Sequence, residues 1–331
     1  MSTVPETIRR GGSLATARRL LADNPTIVLT FVFVGLFVLT DIVNRAQSGE
    51  AFLKPTQVST TFLYAAPLAL LAAGQTLVML TGGVDLSVAS TATAAAFTTA
   101  SYGTKGAASA IVVSVLVGLA IGLVNGLGVA VFRVNPLIMT LGMSGVTLGA
   151  LAIYGQHSFS PLVPDLVRTL GSGRFLTYVP YDLLLWAPIA ALIIFGLRYS
   201  GLGRMIYAVG DNPVACRFAG VRVWQVLLGV YVLCGMLSAL AGILLVGFTN
   251  AADQGIGAPF LLPSVAAVVI GGTSIFGGFG GYGGTILGAL ILTVLDSLLT
   301  ILNTTAAVKE MLYGAIILAL AALYAHTTGA E

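Results

Sequence analysis

The sequence predicts an all-α membrane protein, a polytopic helical bundle of about ten transmembrane helices. Three observations predict it. Of 331 residues, 57% are hydrophobic and 8% charged, with a mean hydropathy of +1.00. Soluble domains carry roughly 25% charged residues, so this chain lacks the polar surface needed to face water. Its apolar runs recur at lengths close to the ~20 residues that a helix needs to cross the hydrocarbon core. Glycine is abundant, at 41 residues, as expected where helices pack closely through small faces.

The first 25 residues are polar and contain Arg9, Arg10, Arg18 and Arg19. The pair at 9 and 10 matches a twin-arginine signal only weakly. The apolar run from Thr26 to Val43 is too long for a signal-peptide core and lacks a small-residue cleavage site, so it reads as an uncleaved first span. Further spans are expected at 60–81, 85–103, 108–131, 136–154, 181–197, 223–247, 259–276, 284–303 and 309–325, after a first span at 26–44. Charge, proline or glycine bounds each of them. They should be helices, because backbone groups in hydrocarbon must satisfy one another. Residues 26–325 then form one transmembrane domain, followed by a tail at 326–331.

Lysine and arginine placement sets the orientation. With the N terminus in the cytoplasm, Arg133, Arg198, Arg204, Arg217 and Arg222 join the four N-terminal arginines on that side. Arg45, Lys54, Lys105, Arg168, Arg174 and Lys309 lie outside. An even number of spans returns the C terminus to the cytoplasm. External loops are expected at 44–59, with Pro55, and at 155–180, with Pro161, Pro164 and Pro180; the main cytoplasmic loop is 198–222.

The middle of that cytoplasmic loop has the marks of a short helix. Asp211 or Asn212 can cap it, Pro213 suits its first position, and Gly220 can end it in the left-handed conformation. Val214, Ala215, Phe218 and Ala219 would share an apolar face, with Arg217 elsewhere. Such a face on the water side either docks into a groove on another protein or rests on lipid headgroups. Spacing alone leaves both readings open.

Two glycine interruptions stand out, Thr81-Gly-Gly-Val-Asp-Leu-Ser87 and Ile270-Gly-Gly-Thr-Ser-Ile-Phe-Gly-Gly278. Glycine doublets bend helices and admit close backbone approach. Glycine-broken segments in corresponding parts of two halves point to a transport pathway, and tight turns are the plainer reading. Asp85 sits at a span boundary, where a carboxylate must be capped, paired or wet, and capping the helix that starts near Leu86 is the simplest role. Asp296 is expected to face a cavity or another helix, and Asn125 and Asn303 to bond across helices.

Several function classes are excluded. A net charge of +3 is too small to suggest nucleic acid. No G-x-x-x-x-G-K-[ST] phosphate loop occurs, so the chain should not itself hydrolyse ATP. His157 and His326 stand alone, and Cys216 and Cys234 suit neither a disulfide nor a metal site. No catalytic constellation, metal or cofactor is expected.

Gly82-Gly-Val-Asp-Leu-Ser87, Tyr207-Ala-Val-Gly-Asp-Asn-Pro-Val-Ala215 and Ala266-Ala-Val-Val-Ile-Gly-Gly-Thr-Ser-Ile-Phe-Gly-Gly278 resemble the permease subunits of bacterial ribose-type ABC importers. Asn125-Gly126, Asn135-Pro136 and Thr140-Leu-Gly142 fit the same pattern, and the resemblance runs from about Ala65 to Tyr324. It implies a permease of the bacterial inner membrane, surrounded by lipid and paired with a second permease, identical or a sister subunit. A cytoplasmic ABC ATPase would bind the 198–222 loop, which favours the docking reading, and a periplasmic binding protein would deliver substrate. The expected coupling residues are Arg204, Tyr207, Gly210, Asn212, Pro213, Ala215, Phe218 and Gly220. Those expected to shape the pathway are Gly82, Gly83, Asp85, Ser87, Asn125, Gly271, Gly272, Thr273, Ser274, Gly277 and Gly278. The implied cargo is a monosaccharide. A nucleoside or other small polar solute is the alternative, and an ATP-independent secondary transporter is the competing mechanism. Ribose-type members often have acidic residues before the Ala-Ala-Val-Val run, where this chain has Phe260-Leu-Leu-Pro-Ser264.

Overall fold

The computed structural model describes residues 25–158 and 162–328. The N-terminal segment with its four arginines and the last three residues lie outside the described residues, as do the side chains of His157 and His326. The helices are α1 (Pro25–Ser48), α2 (Pro55–Leu80), α3 (Val88–Ser101), α4 (Ala107–Ala130), α5 (Pro136–Ser158), α6 (Asp165–Ser172) and α7 (Tyr181–Tyr199). They continue with α8 (Gly201–Asp211), α9 (Pro213–Phe218), α10 (Val223–Thr249), α11 (Leu261–Ile270), α12 (Tyr282–Ile301) and α13 (Ala306–Thr328).

Seven of these helices, α1, α2, α4, α5, α7, α10 and α12, are long and apolar enough to cross a membrane, counted among the described residues. The protein is therefore an all-α, multi-pass membrane protein. Two expected spans are shorter than the sequence suggests. Helix α3 has 14 residues and α11 has 10. At 1.5 Å per residue these rise about 21 and 15 Å, against a hydrocarbon core of ~30 Å. The expected span at 85–103 loses its first residues because the Asp85 carboxylate draws the Ser87 amide into a local turn. The one at 259–276 stops at Ile270, where the glycine-rich 271–281 segment leaves the helix. Non-helical backbone at such depth persists only when covered by protein, and Gly83, Asp85 and Ser87 are all buried.

Helices α2 and α10 form the centre of the bundle. Almost all of α2 beyond Ala65 is buried, and α10 packs against α2, α3 and α4. Helices α1, α4, α5 and α7 keep large apolar side chains exposed along much of their length, as suits a lipid-facing ring. Helix α12 bridges α1, α2 and α11, and α13 packs on α11. The α4–α10 contact is close because glycines meet across it. A Cβ at Gly118 would strike the Gly235 carbonyl, and one at Gly122 would strike the backbone of Tyr231.

Other corrections concern the loops. The stretch expected as an external loop at 155–180 contains α6 and a small antiparallel hairpin, Arg174–Phe175 with Val179–Pro180. Leu176 and Thr177 turn it with φ of 48° and 70°. The 198–222 loop holds two helices rather than one. Asn303 bonds across no helix interface: it follows α12 with φ 54°, exposed, where the chain reverses toward α13. Asp296 does meet another helix, its carboxylate lying 2.7 Å from the Lys309 ammonium of α13. Cys216 and Cys234 are both free and buried.

A candidate coupling surface joined to the glycine loops

Ser200 leaves α7 in an extended conformation, and its hydroxyl accepts from the Gly203 amide at 2.9 Å, starting α8. Leu202, Met205, Ile206 and Val209 follow at helical spacing, and Gly203, Ile206 and Val209 are buried against the bundle. Arg204 points away and borders a shallow recess with Arg198 and Tyr207. The Tyr207 hydroxyl donates to the Gly280 carbonyl at 2.8 Å. Burial raises the Tyr207 phenol above its ordinary range, which keeps the proton that this bond requires.

Gly210 carries a backbone-to-backbone contact that admits no side chain. A Cβ there would land on the Leu80 carbonyl oxygen and lie 2.6 Å from the Gly278 nitrogen. The Gly278 amide in turn donates to that same Leu80 carbonyl at 3.0 Å, satisfying the last turn of α2. Gly277 approaches the Gly82 nitrogen and the Gly210 carbonyl, and Gly278 lies against Asp211. Gly82, Gly272, Gly277 and Gly278 all have positive φ, a conformation that residues with a Cβ adopt only with strain. Both glycine interruptions and the end of α8 thus meet at one point. The 271–281 loop is braced internally: Thr273 Oγ1 accepts from the Gly281 amide, Ser274 Oγ accepts from Phe276, and Gly271 packs against Gly284 and Thr285.

Asn212 ends α8 and starts α9. Its side-chain oxygen accepts from the Val214 and Ala215 amides at 3.0 and 2.9 Å, with Pro213 in the first turn. Cys216 alone of α9 is buried; Phe218 is 89% exposed and Val214 54%, with Ala215 and Ala219 beside them. Gly220 closes the motif at φ 83°, and the Val221 amide donates back to the Cys216 carbonyl at 2.9 Å. The apolar face expected at 214–219 is present and uncovered.

The remaining pathway candidates form a separate buried cluster. The Ser87 amide and hydroxyl both donate to Asp85 Oδ1, at 2.8 and 2.6 Å. The Asn125 amide donates to the Ser87 hydroxyl at 2.7 Å, tying α4 to this turn. Thr140 of α5 accepts from the Leu86 amide at 3.0 Å. Gly83 leaves room for the Tyr231 hydroxyl. Asp85 therefore caps the turn before α3, not the helix amides themselves. Asp85→Asn should keep a melting temperature near that of the parent, since the amide oxygen still accepts from Ser87. Asp85→Leu should strand two buried donors at about 1–3 kcal/mol each and lower both melting temperature and monodisperse yield. An unchanged Leu variant would show the turn to be dispensable.

Sequence reasoning named Arg204, Tyr207 and Gly210 for coupling but did not read α8 as a helix, although apolar residues at 202, 205, 206 and 209 carry its helical period. Leu80 and Tyr231 were also missed, and Thr140, quoted only within a motif, was given no contact to the Asp85 turn. No local signal marks them, because their partners lie far away in the chain.

Residues 57–321 match the family model described as "Branched-chain amino acid transport system / permease component". The ribose import permease protein of Escherichia coli K12 is 37% identical over 262 residues, covering 77% of this chain and 81% of the relative. A probable ABC transporter permease protein of Sinorhizobium fredii is 33% identical over 296 residues, covering 88% and 85%. The fructose import permease protein of Rhizobium meliloti is 30% identical over 317 residues, covering 92% and 86%. No solved structure matches the chain significantly. With the family match running from the first turn of α2 into α13, through both glycine loops and the α8–α9 arm, the chain belongs to the membrane permease components of ABC importers, among the ribose-type members.

Proposed function

We propose that this permease forms half of the pathway of an ATP-driven monosaccharide importer, with a second permease, identical or sister, supplying the other half. The ribose and fructose permeases among its relatives support the cargo class. In this reading the chain crosses the bacterial inner membrane ten times, α3 and α11 completing their passes through the segments that flank them. Both termini and the α8–α9 arm lie in the cytoplasm, and a periplasmic binding protein delivers sugar at the far end. The observation that carries the proposal is the pairing of an exposed apolar helix with a braced support. Phe218 offers an ATPase a large apolar anchor, and α8 behind it is tied to α2 and to the α11–α12 loop. Motion of α9 would therefore reach two core helices at once. Hydrolysis belongs to the partner, and this chain supplies the lever and the path.

The test is uptake of labelled D-ribose and D-fructose into proteoliposomes holding the permease, its ATPase and its binding protein. ATP should drive uptake, and collapse of the proton gradient should leave it unchanged. Uptake that ignores ATP and follows the proton gradient would replace this reading with a secondary transporter.

A further inference from the structure

A cavity of about 520 Å³ opens between α1, α2, α11, α12 and α13. Its size lies within the roughly 300–1,000 Å³ of small-molecule sites. It lies at the end of the bundle away from the α8 junction: Thr61 in its wall and Leu80 at the junction are separated by about 28 Å of helical rise along α2.

Its lining is an unusual one for a gap between membrane helices. Thr60, Thr61, Thr293, Ser297 and Thr300 all face it. Each hydroxyl donates its proton to the carbonyl four residues earlier, at 2.7–3.0 Å. Their oxygens therefore meet the cavity as acceptors. Thr60 and Thr300 each receive one bond, from Arg174 and Lys309. Asp296 Oδ1 is taken by Lys309 at 2.7 Å and by the Tyr313 hydroxyl at 3.1 Å, while the side chain remains half exposed. The Lys309 ammonium is filled in turn. It donates to Asp296 Oδ1, to the Asp296 carbonyl and to Thr300, which accounts for its three protons.

A site of this kind, with the Glu310 carboxylate also in its wall, disfavours anions and suits proton donors. An anion finds no free cationic donor, because Lys309 is neutralised and its protons are committed. A lipid chain would leave the hydroxyl and carboxylate oxygens unsolvated, which is costly. An uncharged solute carrying several hydroxyl donors satisfies them, and the rings of Phe52, Tyr64 and Phe260 offer apolar surface to its carbon faces. We propose that this cavity is a receiving site for a polyhydroxylated neutral solute, holding sugar at the outer end before it crosses. The proposal rests on the monosaccharide reading above and adds to it the place and the donor–acceptor logic.

The test is the double variant Thr293→Val, Ser297→Ala in the reconstituted complex, with D-ribose and D-fructose as probes. Each substitution removes an acceptor and leaves the helical backbone intact. Uptake at saturating loaded binding protein should fall by about tenfold per lost hydrogen bond, with ATP hydrolysis stimulated by the binding protein as in the parent. A second readout does not depend on transport. Ser297→Cys should react with a membrane-impermeant thiol reagent added outside, and saturating sugar should slow that reaction; Cys216 and Cys234 are buried and contribute little background. Normal uptake in the double variant, or labelling indifferent to sugar, would overturn the site while leaving the importer reading in place. Failure of the parent complex to move either sugar with ATP would overturn both.

Discussion

Phe218→Ala should leave the permease in the membrane at normal yield and strip it of its ATPase. The side chain is 89% exposed and packs into no core among the described residues, so its loss should leave the fold intact. Binding energy at interfaces concentrates in a few large side chains buried on docking, and truncating such an anchor costs at least ~2 kcal/mol, about a factor of 30 in affinity. Co-purification of the ATPase should therefore fall by that order, and ATP-driven uptake with it. Binding of the loaded periplasmic protein, which the proposed orientation puts on the opposite face, should be unchanged. Normal ATPase recovery with normal uptake would remove α9 from the interface and return its apolar face to the lipid headgroups. Val214→Ala gives a graded control, because that residue is smaller and half exposed.

Gly210→Ala should do the reverse, keeping the ATPase and losing the work. The added methyl would land on the Leu80 carbonyl and beside the Gly278 nitrogen, and both are backbone atoms that no rotamer change can clear. Overpacking of this kind costs typically ~1–3 kcal/mol. The arm must lift away, weakening the Gly278–Leu80 bond and the Tyr207–Gly280 bond that tie it to the core. Phe218 remains on α9, so the ATPase should still co-purify. ATP hydrolysis should lose its stimulation by the binding protein, and uptake should drop by tenfold or more, the change that ~1.4 kcal/mol in arm docking would produce. Gly229→Ala is the control, since a Cβ there meets nothing within 4 Å. Uptake in Gly210→Ala equal to that control would mean the junction transmits nothing.

These variants differ because one residue acts through local chemistry and the other through a distant contact, and the same division separates what could be read from the chain. Membrane spans were legible because hydrocarbon demands about twenty apolar residues in a row, a property counted along the sequence. The α9 motif was legible for a related reason: Asn212, Pro213 and Gly220 act on amides within a few residues of themselves. Asp85 was legible in part. Its tendency to cap was readable, but whether it would take the Ser87 amide or the first helical amides depended on α4 and α5 closing over the turn through Asn125 and Thr140.

Composition and periodicity alone determined that this is a lipid-embedded helical bundle with a small apolar helix on one polar loop. Only the tertiary structure decided that both glycine interruptions meet the end of α8, that α3 and α11 stop short, and that five hydroxyl oxygens from α2 and α12 face one cavity. The physical reason is separation along the chain. Tyr207 and Gly280 are 73 residues apart, and Thr76 and Thr285, which bond at 2.9 Å, are 209 apart. Periodicity says which face of a helix turns inward; it carries no information on which other helix will be waiting there.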